Sequence, residues 1–164
     1  MTTLPLVSER HWERVARDFD DVGPQACIAE IVEQLRAQNP HYLAIAQRSA
    51  ADAGDEASAF TGFAQFYRIL DLDARDRGGA VPRITAQTLD VIDALVEEFG
   101  EEQFIVLATE MLCEENPFLS QMAHSFASRR DYLTVMKGFV LLYKCLSVQA
   151  TINGLTTRFD KRGA

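Results

Sequence analysis

The sequence predicts an all-α protein of about eight helices, arranged as two tandem four-helix repeats packed with pseudo-two-fold symmetry into one globular bundle. Three observations lead to that expectation. Apolar residues recur at i, i+3, i+4 and i+7 through most of the chain, and no stretch sustains the period-two, β-branched alternation of a strand. Glycines, capping residues and two Asn-Pro pairs interrupt the pattern at helix-sized intervals. Finally, the interruptions themselves recur.

Ser8 is a capping residue before Trp12, Val15, Ala16 and Phe19, which share one helical face. Gly23 ends that helix and Pro24 begins the next, which carries Cys27, Ile28, Ile31, Val32 and Leu35 to about Gln38. Asn39 offers its side-chain oxygen as an N-cap, and Pro40 takes the first helical position of a third helix reaching about Ala53. After Gly54 a fourth helix holds Phe60, Phe63, Phe66, Tyr67 and Leu70. The stretch LDLDARDRGGAVPRI reads as a turn-like midpoint linker. Beyond it, Thr85 caps a helix with Leu89, Ile92, Leu95, Val96 and Phe99, broken by Gly100. The next helix holds Phe104, Ile105, Ala108, Met111 and Leu112, and Asn116-Pro117 opens another. The last runs from about Asp131 to Gln149 and is apolar nearly all round, which predicts a central position.

A shift of 77 residues places Pro5 on Pro82, Gly23 on Gly100, Glu33 on Glu110 and Asn39-Pro40 on Asn116-Pro117. One deletion later, a shift of 76 places Gly62-Phe63 on Gly138-Phe139 and Tyr67 on Tyr143. The expected organisation is a single domain over residues 1–164. It divides into repeat one at 5–72, a linker at 73–81, repeat two at 82–149 and a solvated tail at 150–164. The matched helix-interior glycines predict close packing there, with the two fourth helices at the centre.

Composition narrows the function. With 48% apolar and 24% charged residues, the chain can bury a core and disorder is disfavoured. A net charge of −8 argues against a nucleic-acid surface, which needs a dense basic stripe. Arg158, Lys161 and Arg162 in the tail are too few and too mixed with acid to supply one. Cys27, Cys113 and Cys145 have no CxxC spacing and lie in helical stretches, so reduced thiols and a cytoplasmic location are expected. Lys137 and Lys144 disfavour a membrane role for the final apolar helix.

No metal, cofactor or catalytic group is expected. A di-iron bundle needs Glu-x-x-His pairs, whereas His11, His41 and His124 follow Ser8, Gln38 and Gln121 at that spacing. A calcium loop starting at Asp71 would need Gly at its sixth position and Glu at its twelfth, where Asp76 and Pro82 stand. A solvated linker is the reading for Asp71, Asp73 and Asp76. Glu114 and Glu115 beside Cys113 do not supply the positive field a reactive thiol requires.

Five residues form the candidate ligand site. Glu33 and Glu110, if both turned inward, would make a paired-carboxylate site; flanking ion pairs with arginine are the plainer reading. Tyr67 and Tyr143 carry hydroxyls that need partners, with Glu33 and Glu110 or Asn39 and Asn116 as acceptors. His124 stands opposite Gln47 and breaks the symmetry. The leading function is a non-enzymatic protein-interaction or regulatory module, its partner another protein or a second copy of the chain. Its favoured surface is the first repeat and linker, where Thr61, Gln65 and Arg68 interrupt the apolar pattern. The alternative is a small-ligand-binding protein or enzyme with a polar pocket between the repeats.

Overall fold

The structure is a computed structural model; it describes the backbone of residues 4 and 6–163 and the side chains of residues 4 and 6–154. Eight α-helices account for the regular structure, and there is no strand among the described residues. They are α1 (Glu9–Val22), α2 (Pro24–Gln38), α3 (Pro40–Asp52), α4 (Glu56–Asp76), α5 (Ala86–Phe99), α6 (Glu101–Glu115), α7 (Pro117–Ala127) and α8 (Tyr132–Gly163). Gly23 and Gly100, at φ of 99° and 82°, occupy backbone conformations that disfavour a Cβ and are the single residues separating α1 from α2 and α5 from α6. Pro24, Pro40 and Pro117 open their helices, where a missing N–H leaves no bond unmade.

Two helices outrun their expected ends. The segment taken as linker continues α4 to Asp76, because Asp71–Arg75 and Asp73–Arg77 pair at i,i+4 along it. Asp71 and Asp73 are 3% and 2% exposed, so the solvated-linker reading fails for both. Helix α8 carries on past Gln149 to Gly163. Whether Arg158, Lys161 and Arg162 are solvated lies outside the described side chains, as does the placement of Pro5.

The cap expectations need a second correction. Ser8, Asn39, Thr85 and Asn116 all occupy N-cap positions, yet none uses its side chain to cap its helix. Each has a different partner. Asn39 Oδ1 accepts from Ile84 N–H at 2.9 Å and its Nδ2 donates to Pro82 O at 2.8 Å. Asn116 Oδ1 accepts from Val7 N–H at 2.7 Å. Both asparagines are buried and pin the segment that enters α5 or α1.

The core is built around α8, which packs against α3, α4, α5, α6 and α7. By length and hydropathy, Tyr132–Gly154 is long and apolar enough to cross a membrane, but 61% of its apolar window is buried against the other helices. The face toward α4 is aromatic: Phe139 meets Phe63 and Phe66 at centroid distances of 5.0 and 5.2 Å, and Phe66 meets Tyr143 at 6.4 Å. The space above Gly138 is taken by the Phe63 ring and Ser49 Cβ, and that above Gly62 by the Phe126 ring. The glycines therefore admit aromatic rings.

Candidate functional site

The five candidate residues do not gather in one place. Glu33 is an exposed flank residue, its side chain 74% accessible and paired with Arg36 at 2.8 Å. Glu110 is exposed on α6. Both are set on outward-facing positions of their helices, so the inward carboxylate pair is not formed. Tyr67 and Tyr143 are buried, and burial pushes the Tyr67 hydroxyl up to about 12 and Tyr143 higher still. Their partners are the two asparagines: Asn39 hydrogen-bonds Tyr67, and Asn116 Nδ2 donates to Tyr143 Oη at 3.4 Å. Tyr143 also donates to Glu115 Oε1 at 3.1 Å. Each tyrosine thus buttresses the asparagine that grips an entering segment. His124 lies on α7, its ring stacked on Tyr132 with Nδ1 2.6 Å from the hydroxyl.

A polar cluster joins the start of α1 to the end of α4, two of its members, Asp73 and Asp76, falling in the expected linker. His11 Nε2 donates to Asp76 Oδ2 at 2.8 Å, since a carboxylate can only accept. Its Nδ1 lies 3.0 Å from Ser8 Oγ and 3.5 Å from Asp73 Oδ1. Arg10 adds a second contact to Asp76 at 3.1 Å. Serine, histidine and aspartate meet here and join the start of α1 to the end of α4. At the start of α5 the same kind of junction is made by Thr85 and Thr88, which both donate to Gln149 Oε1 on α8, with no acid–base group involved.

The hydrogen bond from His11, aided by the His11 and Arg10 charges, holds the Asp76 carboxyl below its ordinary range despite a smaller opposing effect of desolvation. Its folded pKa is depressed, so its contribution to stability is complete above the unfolded value near 3.9 and is lost as pH falls through the folded one. Asp76→Asn, followed by circular dichroism, should therefore be less stable than wild type above about pH 4, with the gap closing as pH falls further. Parallel acid profiles would remove Asp76 from this role.

The best-formed apolar cleft lies between α3 on one side and α5, α6 and α8 on the other, with a volume of about 560 Å³. Its floor is made by Ile45, Leu89, Ile92, Phe104 and Leu141, and Arg48, Asp93 and the Glu101–Lys137 ion pair stand among its walls. Neither the candidate glutamates and tyrosines nor His124 line it. Ile45, Ile92 and Phe104 belong to the buried core, whereas Leu89 and Leu141 are half-buried against it. Cys145 borders the cleft, and burial pushes its thiol up to about 12. Among the described residues no group of three or more His, Cys, Asp or Glu side chains is placed to hold a metal ion.

Comparisons with protein-family models, curated proteins and solved structures return no match. The functional reading accordingly rests on the geometry of this chain.

Proposed function

We propose that the chain is a tandem duplication, 5–72 and 82–149, acting as a non-enzymatic interaction or regulatory module. In this reading its binding surface is the cleft between α3 and α5, α6 and α8, and its occupant is an apolar segment of a protein partner. The duplication draws support from paired detail. Helices α1, α2 and α3 start at 9, 24 and 40, and α5, α6 and α7 at 86, 101 and 117, a constant offset of 77. Asn39 binds Ile84 while Asn116 binds Val7, and both donors and both acceptors are again 77 apart. Each matched asparagine thus holds the segment entering the other repeat, as an approximate two-fold axis requires.

The observation that carries the binding role is the cleft between the helix layers, along which Leu89 and Leu141 stay half-buried. Phe99 at the end of α5 and Leu133 at the start of α8 are exposed apolar residues on two of the helices that form the cleft, the latter 78% exposed. Exposed apolar side chains of this kind suit a protein partner better than a small ligand. The small-ligand reading keeps one supporting fact, a volume within the usual range for such sites.

The test uses Leu89→Glu and Leu133→Glu, at half-buried and exposed positions. Both variants are expected to fold, with Leu133→Glu leaving the melting temperature within a degree or two of wild type. Co-purification and sedimentation should show wild type bound to a partner or to a second copy and the variants released. A wild-type chain that stays an inert monomer, or variants that keep the partner, would overturn the proposal.

A further inference from the structure

A second, larger cleft of about 700 Å³ lies on another side of the molecule, between α1, α4 and the end of α7. Its chemistry is the reverse of the first. The protein carries a net charge of −8, yet this cleft is lined by Arg129 and Arg130 against a single carboxylate, Asp20. Thr61, Gln65 and Ser125 add uncharged polar groups, and Trp12 with Phe126 provides an aromatic wall.

Neither guanidinium has a carboxylate partner among the described residues. Arg130 lies over the Phe126 ring at 3.5 Å, donates from Nη1 to Phe126 O at 2.6 Å and from Nε to Ser58 Oγ. Those contacts fix the plane of the fork and leave its Nη2 donors unused among the described residues. Arg129 makes no ion pair among the described residues. Burial lowers the Arg130 pKa, and the charge of Arg129 lowers it further, against the opposing influence of Asp55. Two cations close enough to repel, one of them held in position, form a site that an incoming anion would relieve. The Gln65 and Ser125 side chains likewise make no hydrogen bond among the described residues.

We infer that this cleft binds a phosphate monoester carried on an aromatic or apolar body. A dianionic phosphate offers enough oxygens for two arginine forks and the neighbouring hydroxyl and amide donors, whereas a carboxylate offers only two. The body of the ligand would lie against Trp12, which an inorganic ion would leave uncovered. This site is independent of the apolar cleft, and either assignment can fail without the other.

Trp12 is the chain's one tryptophan and lines the cleft, so its fluorescence reports binding directly. The full chain is titrated with phenyl phosphate at constant ionic strength, with benzoate and inorganic phosphate in parallel. The expected result is a saturable change with phenyl phosphate, tighter than with either comparator, and weakened about tenfold in Arg129→Ala. Arg129 is exposed, so this variant should fold normally; Ser125→Glu, which places a like charge beside the phosphate, should abolish the response by a second route. A response equal to that of added chloride, unchanged in both variants, would overturn the site. Benzoate binding as tightly as phenyl phosphate would overturn the phosphate assignment.

Discussion

Replacing Asn39 or Asn116 by alanine should destabilise the protein by about 2–4 kcal/mol, more than any cap substitution would. An N-cap removed from a helix costs roughly 1 kcal/mol. These side chains do something else: Asn39 is 1% exposed and Asn116 fully buried, and each accepts a backbone N–H from a segment far away in sequence. Alanine at 39 leaves the buried Ile84 N–H and the part-buried Pro82 carbonyl without their partner. A buried orphan of this kind costs about 1–3 kcal/mol, and Asn39→Ala creates one beside a second, part-buried one. It also removes the hydrogen bond to Tyr67. For a chain of this size the melting temperature should fall by roughly 5–15 °C in each variant. The magnitude discriminates between the two roles: a loss of 1 kcal/mol or less, measured by denaturant unfolding, would restore the simple cap.

The second large effect is expected at Gly138. In an exposed helix, glycine to alanine gains about 1 kcal/mol. Here a Cβ would stand 2.4 Å from Phe63 Cζ and 3.2 Å from Ser49 Cβ. Phe63 has little room to retreat, because its ring is wedged edge-on against Phe139 at 5.0 Å. Gly138→Ala should therefore destabilise in spite of its better helix propensity, and Gly138→Leu should cost about 3 kcal/mol or more through overpacking. The mechanism has its own control: Phe63→Leu in the Gly138→Ala background should recover part of the loss, since the two changes touch. An unaltered melting temperature for Gly138→Leu would show that the aromatic cluster yields freely, and the packing account would be wrong.

Helix boundaries were the most legible feature. Proline at a first helical position and glycine at a positive-φ stop act through the local backbone alone, and so α2 begins at Pro24 and α7 at Pro117 as expected. The all-round apolar pattern of the last helix likewise announced its central place. Legibility failed where a polar side chain had two options. Asn39 before a proline resembles a cap whether its oxygen turns to its own helix or to Ile84, and nothing nearby in the sequence separates the two. Asp71 and Asp73 look like turn residues until Arg75, Arg77 and His11 are seen to claim them. The same limit explains the candidate site. Glu33 and Glu110 stood out because they matched, but a matched position says nothing about which way a side chain faces.

The sequence by itself determined the class, the number and limits of most helices, and the matched positions that suggest duplication. All of these follow from local periodicity and backbone sterics. Only the tertiary structure decided where the asparagine oxygens go, that Asp71 and Asp73 are buried, and that two clefts of opposite character open between the layers. Those outcomes depend on which groups from distant parts of the chain arrive to compete for a hydrogen bond or to cover a surface, a contest that no local stretch of residues contains.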